Sequence, residues 1–333
     1  MRYKLVIPLF AFLAILIPAI SFSAASPEEA AKAEGEVVFY SSLNNEQITT
    51  LAEAFRRKYP SVRPSFYRGT SDRVLQRVIT EAQVGRHSVD VISAAGFQIQ
   101  LLKDKGLTGK FVPADASAYE AGFRDADGQW TTLHILLNSM AYNTKLVPAA
   151  EAPKRYADLI HPKWKGKLGV NVRDPEWFVN LQRLYGKEKA RELIRGLAAQ
   201  NPGLQDGHNL LAQLLAAGEF HAVSNTYAHI AAREKERGAP VQWVFAEPVI
   251  TYLHPVATAR HAPHPNSAQL FLNFLLSKDG QSMLREQGRI PAHRGVEPKV
   301  FSLKDVKLFP SDIRLAKEYD AAAQEMRNVL GGR

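Results

Sequence analysis

The chain has 333 residues, 46% hydrophobic and 23% charged, and 42 Lys and Arg against 33 Asp and Glu give a formal charge of +9. At roughly 100–200 residues per domain this suggests about two domains, with a composition that excludes a disordered or fibrous chain. The absence of cysteine excludes disulfide frameworks, thiolate metal sites, a cysteine nucleophile and a lipid anchor on an N-terminal cysteine.

Arg2 and Lys4 precede an apolar run, Leu5 to Ile20, and small residues follow at Ser21, Ser23, Ala24 and Ala25. This is the order of a secretory signal peptide over 1–25, with Ser23 and Ala25 in the small positions before a cut at Ala25/Ser26. The run also approaches membrane-spanning length, which is the competing reading. The small-residue exit favours cleavage and a soluble protein in a bacterial periplasm. Losing Arg2 and Lys4 takes the formal charge from +9 to +7. The remaining basic residues are dispersed, with short groups at Arg56–Lys58 and Lys163–Lys167. Nucleic-acid binders concentrate such charge on one face, so no nucleic-acid partner is expected. A generally basic surface is suited to steering small anions.

Ser26 to Gly35 reads as a linker. Val37–Tyr40 is a strand, and Ile48, Leu51, Ala52, Phe55 and Tyr59 mark a helix that Pro60 stops. Val62–Tyr67 is a second strand, Val74, Leu75, Val78, Ile79 and Ala82 a second helix, and Val89–Ile92 a third strand ending at Ser93–Gly96. After Tyr142–Thr144 a second run of units begins, with a strand at Leu168–Val172 and helices at Glu176–Tyr185, Lys187–Ala199 and His208–Ala217. His221–Ser224 is a short strand before a helix through Ile230 and Arg237. Val241–Phe245 and Ile250–Ala259 are strands, the latter crossing between domains. Helices at Pro265–Leu276 and Lys278–Gln287 follow, and a last one spans about Ser311 to Leu330.

Alternating strands and helices imply parallel sheets flanked by helices. The expected architecture is α/β, with one lobe from 36–139 plus 257–333 and the other from 140–256. Ligands of open α/β sheets bind beyond the carboxyl ends of the strands, so two such lobes would enclose a cleft that closes as a hinge.

The segments VVFYSSLNNE (Val37–Glu46), RYADLIHPKWKGKLGV (Arg155–Val170), SNTYAH (Ser224–His229), GAPVQWV (Gly238–Val244) and HPNSAQLFLNFLLSKDGQ (His264–Gln281) carry a family likeness. Together, and in this order, they resemble the ABC-importer solute-binding proteins of the ferric-iron-binding type. The resemblance implies a two-lobed type II periplasmic binding fold with a hinged central cleft. It also implies a small-molecule ligand, an ABC permease of the inner membrane as partner, no cofactor and a monomer. Branches of this family bind iron, thiamine, sugar phosphates, phosphonates and small organic acids.

Ferric iron prefers phenolate, carboxylate and imidazole ligands. Where the iron branch presents adjacent tyrosines, this chain has only Tyr227, within Ser224-Asn225-Thr226-Tyr227-Ala228. The loops matching its histidine and glutamate ligands hold Asn44 and Ala95, and the nearest aromatic after the 168–172 strand is Trp177. That is a poor iron site, and no metal is expected.

The same loops are rich in hydroxyl and amide groups at strand-to-helix junctions. Ser41, Ser42 and Asn44 precede the first helix, and Thr70 and Ser71 the second. Such positions suit an anion, yet Ser, Thr and Asn are also the preferred helix caps. Ser71 reads as a cap; Ser41 and Ser42 are open to both roles. Asn225, Thr226 and Tyr227 would face the cleft from the other lobe, the alternative for Tyr227 being a packed aromatic. Arg173 could grip a carboxylate or phosphate, and Trp177 could stack on a planar ligand. Their plainer roles are a solvated Arg and a core-edge Trp.

Among ten histidines, His254, His261 and His264 cluster between prolines without a helix-spaced zinc pair. There is no GxSxG elbow, P-loop or dinucleotide fingerprint. The expected function is capture of a small anionic solute, without catalysis. The alternatives are a ferric-iron-binding protein and, from another class, a secreted two-lobed hydrolase or transferase.

Overall fold

The computed structural model describes residues 26–331, so the leader expected over 1–25 lies outside it. The expected linker is instead a helix, α1 (Pro27–Glu34). Ser26 and Glu29 close a capping box at its start, and Gly35 ends it at φ 71°. Ala31 is fully buried, and the Glu34 carboxylate accepts hydrogen bonds from the N–H groups of Asn266 and Ser267. A segment with little apolar content is helical here because of what it docks on.

The first lobe is built from β1 (Glu36–Ser41), α2 (Asn45–Lys58), β2 (Arg63–Arg68), α3 (Ser71–Gln83), β3 (Val91–Ser93) and α4 (Gly96–Asp104). β1 lies between β2 and β3, parallel to both. Next comes β4 (Thr131–Asn143), which has no counterpart in the sequence reading. All but one of its residues are buried, so it shows none of the alternation that marks a one-sided strand.

The second lobe contains β5 (Leu168–Asn171), α5 (Pro175–Tyr185), α6 (Lys187–Ala199), β6 (Gly203–Gln205), α7 (His208–Ala217), β7 (Ala222–Tyr227), α8 (Ala228–Glu236) and β8 (Val241–Val244). β9 (Val249–Thr258) leads back to α9 (Pro265–Leu276), α10 (Lys278–Glu286), β10 (Ile290–Pro291), β11 (Leu308–Pro310) and α11 (Tyr319–Leu330).

The main strand order is β2-β1-β3-β9-β4-β7-β5-β6. β5 is parallel to β6 and β7, which makes the second lobe's sheet a smaller version of the first. β4 pairs antiparallel with β9 over its first half, and with β7 and β8 over its second. These two long strands therefore carry the chain between lobes, and the expected switch points 139/140 and 256/257 fall within them.

Each lobe has its own core. Phe39, Phe55, Ile92, Leu137 and Phe271 belong to the first, and Met140, Tyr156, Trp177, Leu197 and Ile250 to the second. The tail departs from the expected division. Ile313 and Ala316, in a short 3-10 turn, pack into the first core, whereas Ala322, Met326 and Leu330 of α11 pack into the second. Glu325 pairs with Arg191 of α6. Thus 257–333 does not return wholly to lobe 1; its last helix crosses over.

Candidate functional site

In both lobes the parallel strands deliver their carboxyl ends to helix starts. β1, β2 and β3 lead into Ser42, Gly69–Thr70 and Ala94–Ala95, while β5, β6 and β7 lead into Val172–Asp174, Asp206–Gly207 and α8. Tyr319 links the two sets. Burial pushes its phenol up, and the charges of Asp174 and Glu176 in one lobe and Asp72 in the other add to the effect.

Three of the six helix starts have side-chain caps. Asn44 Oδ1 accepts from the Gln47 N–H (2.8 Å), Thr70 Oγ1 from Arg73 (3.3 Å) and Asp174 Oδ1 from Trp177 (3.1 Å). The other three helices, α4, α7 and α8, follow Ala95, Gly207 and Tyr227, none of which offers a side-chain cap. Uncapped N–H groups and the positive end of the helix dipole favour an anion.

The residues expected to line the site divide by role. Ser41 is fully buried and accepts from the Leu43 N–H, which makes it part of the loop's frame. Ser42 Oγ lies 3.3 Å from His254 Nε2. Ser71 is not the cap expected of it: Thr70 fills that position, and Ser71 Oγ accepts from the Ala95 N–H at 3.0 Å, tying two loops together. Asn225 is an internal clip, bonded through its side chain to both the N–H and the carbonyl of Asn171. Thr226 is buried with its hydroxyl unpartnered. Arg173 is exposed and paired with Asp206 at 2.9 Å. Trp177 is a correction: it has no exposed surface and meets Tyr156 edge-on in the second core, so it cannot stack on a solute.

Tyr227 ends β7 with its ring between two imidazoles, 3.8 Å from His208 and 5.8 Å from His229. Behind it, the Tyr252 hydroxyl donates to both oxygens of Asp174 (3.0 and 2.9 Å) and accepts from Asn138 Nδ2 (3.2 Å), whose Oδ1 accepts from Tyr156. Burial holds the Asp174 carboxyl above its ordinary range, and pushes the neighbouring His208 down although Asp174 lies 3.8 Å away. Glu176 is raised by burial to about 8, and its Oε1 has no hydrogen-bond partner.

Sequence reasoning missed the group at the hinge. His134 and His254 are register partners on β4 and β9, with stacked rings 4.4 Å apart. Arg289, just before β10, is held by Gln47 Oε1 through Nε (3.2 Å) and Nη2 (2.9 Å). Burial, with Arg233 nearby, pushes its guanidinium down to about 10. Its charge in turn acts on His134, His229 and His254, all pushed down chiefly by burial. Neither ring nitrogen of His134 has a partner, nor has Nδ1 of His208, His229 or His254. Unpartnered buried polar atoms are rare, and those of His134, His229 and His254 lie within the influence of one guanidinium. Of the missed residues, only Asp174 had a local signal: an Asp before Pro175 is a helix-start pattern.

The model of the bacterial extracellular solute-binding proteins matches residues 87–313. The chain belongs to that family. An uncharacterized Haemophilus influenzae protein is 26% identical over 274 residues, 78% of each chain. The solved structure of iron-bound HitA from Pseudomonas aeruginosa superimposes with a TM-score of 0.75 at 21% identity, covering 87% of this chain and 99% of that one. The fructose-6-phosphate-bound periplasmic binding protein AfuA of Actinobacillus pleuropneumoniae gives a TM-score of 0.73 at 22% identity, covering 90% and 99%. These two likenesses confirm the two-lobed α/β binding-protein fold.

Burial raises the phenols of Tyr227 and Tyr252 far above their ordinary range, which keeps them protonated. Among the described residues, no group of three or more His, Asp or Glu side chains is placed to hold a metal ion. No helix among them is long and apolar enough to cross a membrane.

Proposed function

We propose that this chain captures a small anionic solute between its lobes and delivers it to a membrane permease of an ABC importer, without transforming it. The observation that carries the reading is Arg289. Its guanidinium has no carboxylate partner among the described residues, only Gln47, and it stands beside Arg233 and three neutral imidazoles. A carboxylate or phosphate would satisfy it by charge-assisted hydrogen bonds. The uncapped starts of α4, α7 and α8 supply further donors from both lobes. The fructose-6-phosphate bound by the Actinobacillus protein supports the anionic class, without pointing to that compound.

A thermal-shift screen of organic acids and phosphorylated compounds, followed by calorimetry, tests the reading. Arg289→Gln should weaken the best hit tenfold or more, since a charged hydrogen bond contributes about 1.5–3 kcal/mol. A neutral or cationic solute, or unchanged affinity in that variant, would refute it. Export with cleavage at Ala25/Ser26 belongs to the same proposal, and N-terminal sequencing of the periplasmic fraction checks it.

A further inference from the structure

Away from the strand ends, a cavity of about 380 Å³ lies where the lobes meet beside the tail. Its walls come chiefly from the loop before β4 with Arg124 and Trp130, helix α5 with Arg183, and the segment 310–314. Lys103 and Arg314 also line it, but their charges are spent locally. Lys103 pairs with Asp125 (2.6 Å) and Asp127 (2.7 Å), and Arg314 with Asp312 (2.6 Å).

Arg124 and Arg183 are different. Neither forms an ion pair among the described residues. Arg183 Nη1 donates to Asn180 Oδ1 (2.8 Å) and the Pro310 carbonyl (3.0 Å), with its plane over the Phe309 ring. Arg124 Nε is buried without a partner. Trp130 is only 7% exposed, and its indole N–H, which can only donate, is also unpartnered. The volume falls at the small end of the ligand-pocket range, roughly 300–1,000 Å³.

We infer that this junction cavity is a second binding site, taking a small oxyanion, a phosphate or a carboxylate, between Arg124, Trp130 and Arg183. It is separate from the solute cleft and does not depend on the reading of that cleft. Arg124 and Trp130 belong to the first lobe and Arg183 to the second, so an anion held there bridges the lobes.

The test is calorimetry with inorganic phosphate and with citrate on protein carrying Arg289→Gln, which removes the main cation of the cleft. Saturable binding of either anion at one site is expected. Adding Arg124→Gln should weaken it tenfold or more, and so should Trp130→Phe, which keeps the aromatic ring and loses only the N–H. Glycerol, a neutral molecule of similar polarity, should not bind. The inference is overturned if neither anion binds saturably, if both second substitutions leave binding unchanged, or if glycerol binds as well as the anions.

Discussion

Asp174 caps α5, receives the Tyr252 hydroxyl and lies near His208, and it does this in a setting so dry that its charged form is disfavoured. Its neighbour Glu176 carries the clearest pH consequence. Burial, helped by Asp174, raises that carboxyl from 4.5 to about 8. The folded chain therefore keeps a proton that the unfolded chain has lost. The stability gained is complete below about pH 4.5 and disappears as pH rises through about 8, at about 1.4 kcal/mol per pH unit of separation at most. Glu176→Gln abolishes this titration, so melting curves across that window should fall less steeply with pH than those of the unsubstituted protein. Parallel curves would count against a raised carboxyl. His229 works in the opposite sense. Burial lowers it from 6.5 to about 3, so its share of stability is complete above about pH 6.5 and lost on acidification. The same protonated phenols give a spectroscopic prediction: ferric citrate should produce no tyrosinate-to-iron band, and a strong band lost in Tyr227→Phe would reverse that conclusion. At this scale the sequence showed the loops but not their chemistry. Ser42, Thr226 and Tyr227 could be proposed from the sequence because they sit at the ends of recognisable strands. His134, His254 and Arg289 were not, because β-sheet register and a distant turn bring them together.

Among the elements, the β/α alternation from β1 to α4 was readable because its short apolar runs end in Ser, Gly or Pro. β4 was hidden by burial on both faces, and α1 by a stabilisation that comes from its contact with α9. The split of the tail was equally invisible, since one amphipathic stretch cannot say which lobe it will meet. It has a measurable result. Met326 is fully buried in the second core, so Met326→Ala should destabilise the protein by about 2–5 kcal/mol in denaturant titrations. A cost well below about 1 kcal/mol would show that α11 does not complete that core.

For the whole molecule, the proposed site takes loops from both lobes, while β4 and β9 form the connection between them. A solute touching both sides binds the closed arrangement better than the open one, and only that difference can drive closure. Small-angle scattering at saturation should show compaction, and Arg289→Gln at the same solute concentration should show less. Scattering unchanged by a bound solute would mean that the lobes do not move.

The tail's return to both cores also governs when the protein can finish folding. Ile313 and Ala316 complete one lobe, and Met326 and Leu330 the other. During synthesis, therefore, the first lobe cannot reach its final packing until the chain has passed Ala316, nor the second until it has been made nearly to Leu330. A nascent chain stopped near Asp312 would already hold every parallel strand, yet both of its interiors would stand open to proteases and chaperones. Pulse proteolysis of stalled chains should show protection arriving late, over the last twenty or so residues, rather than lobe by lobe.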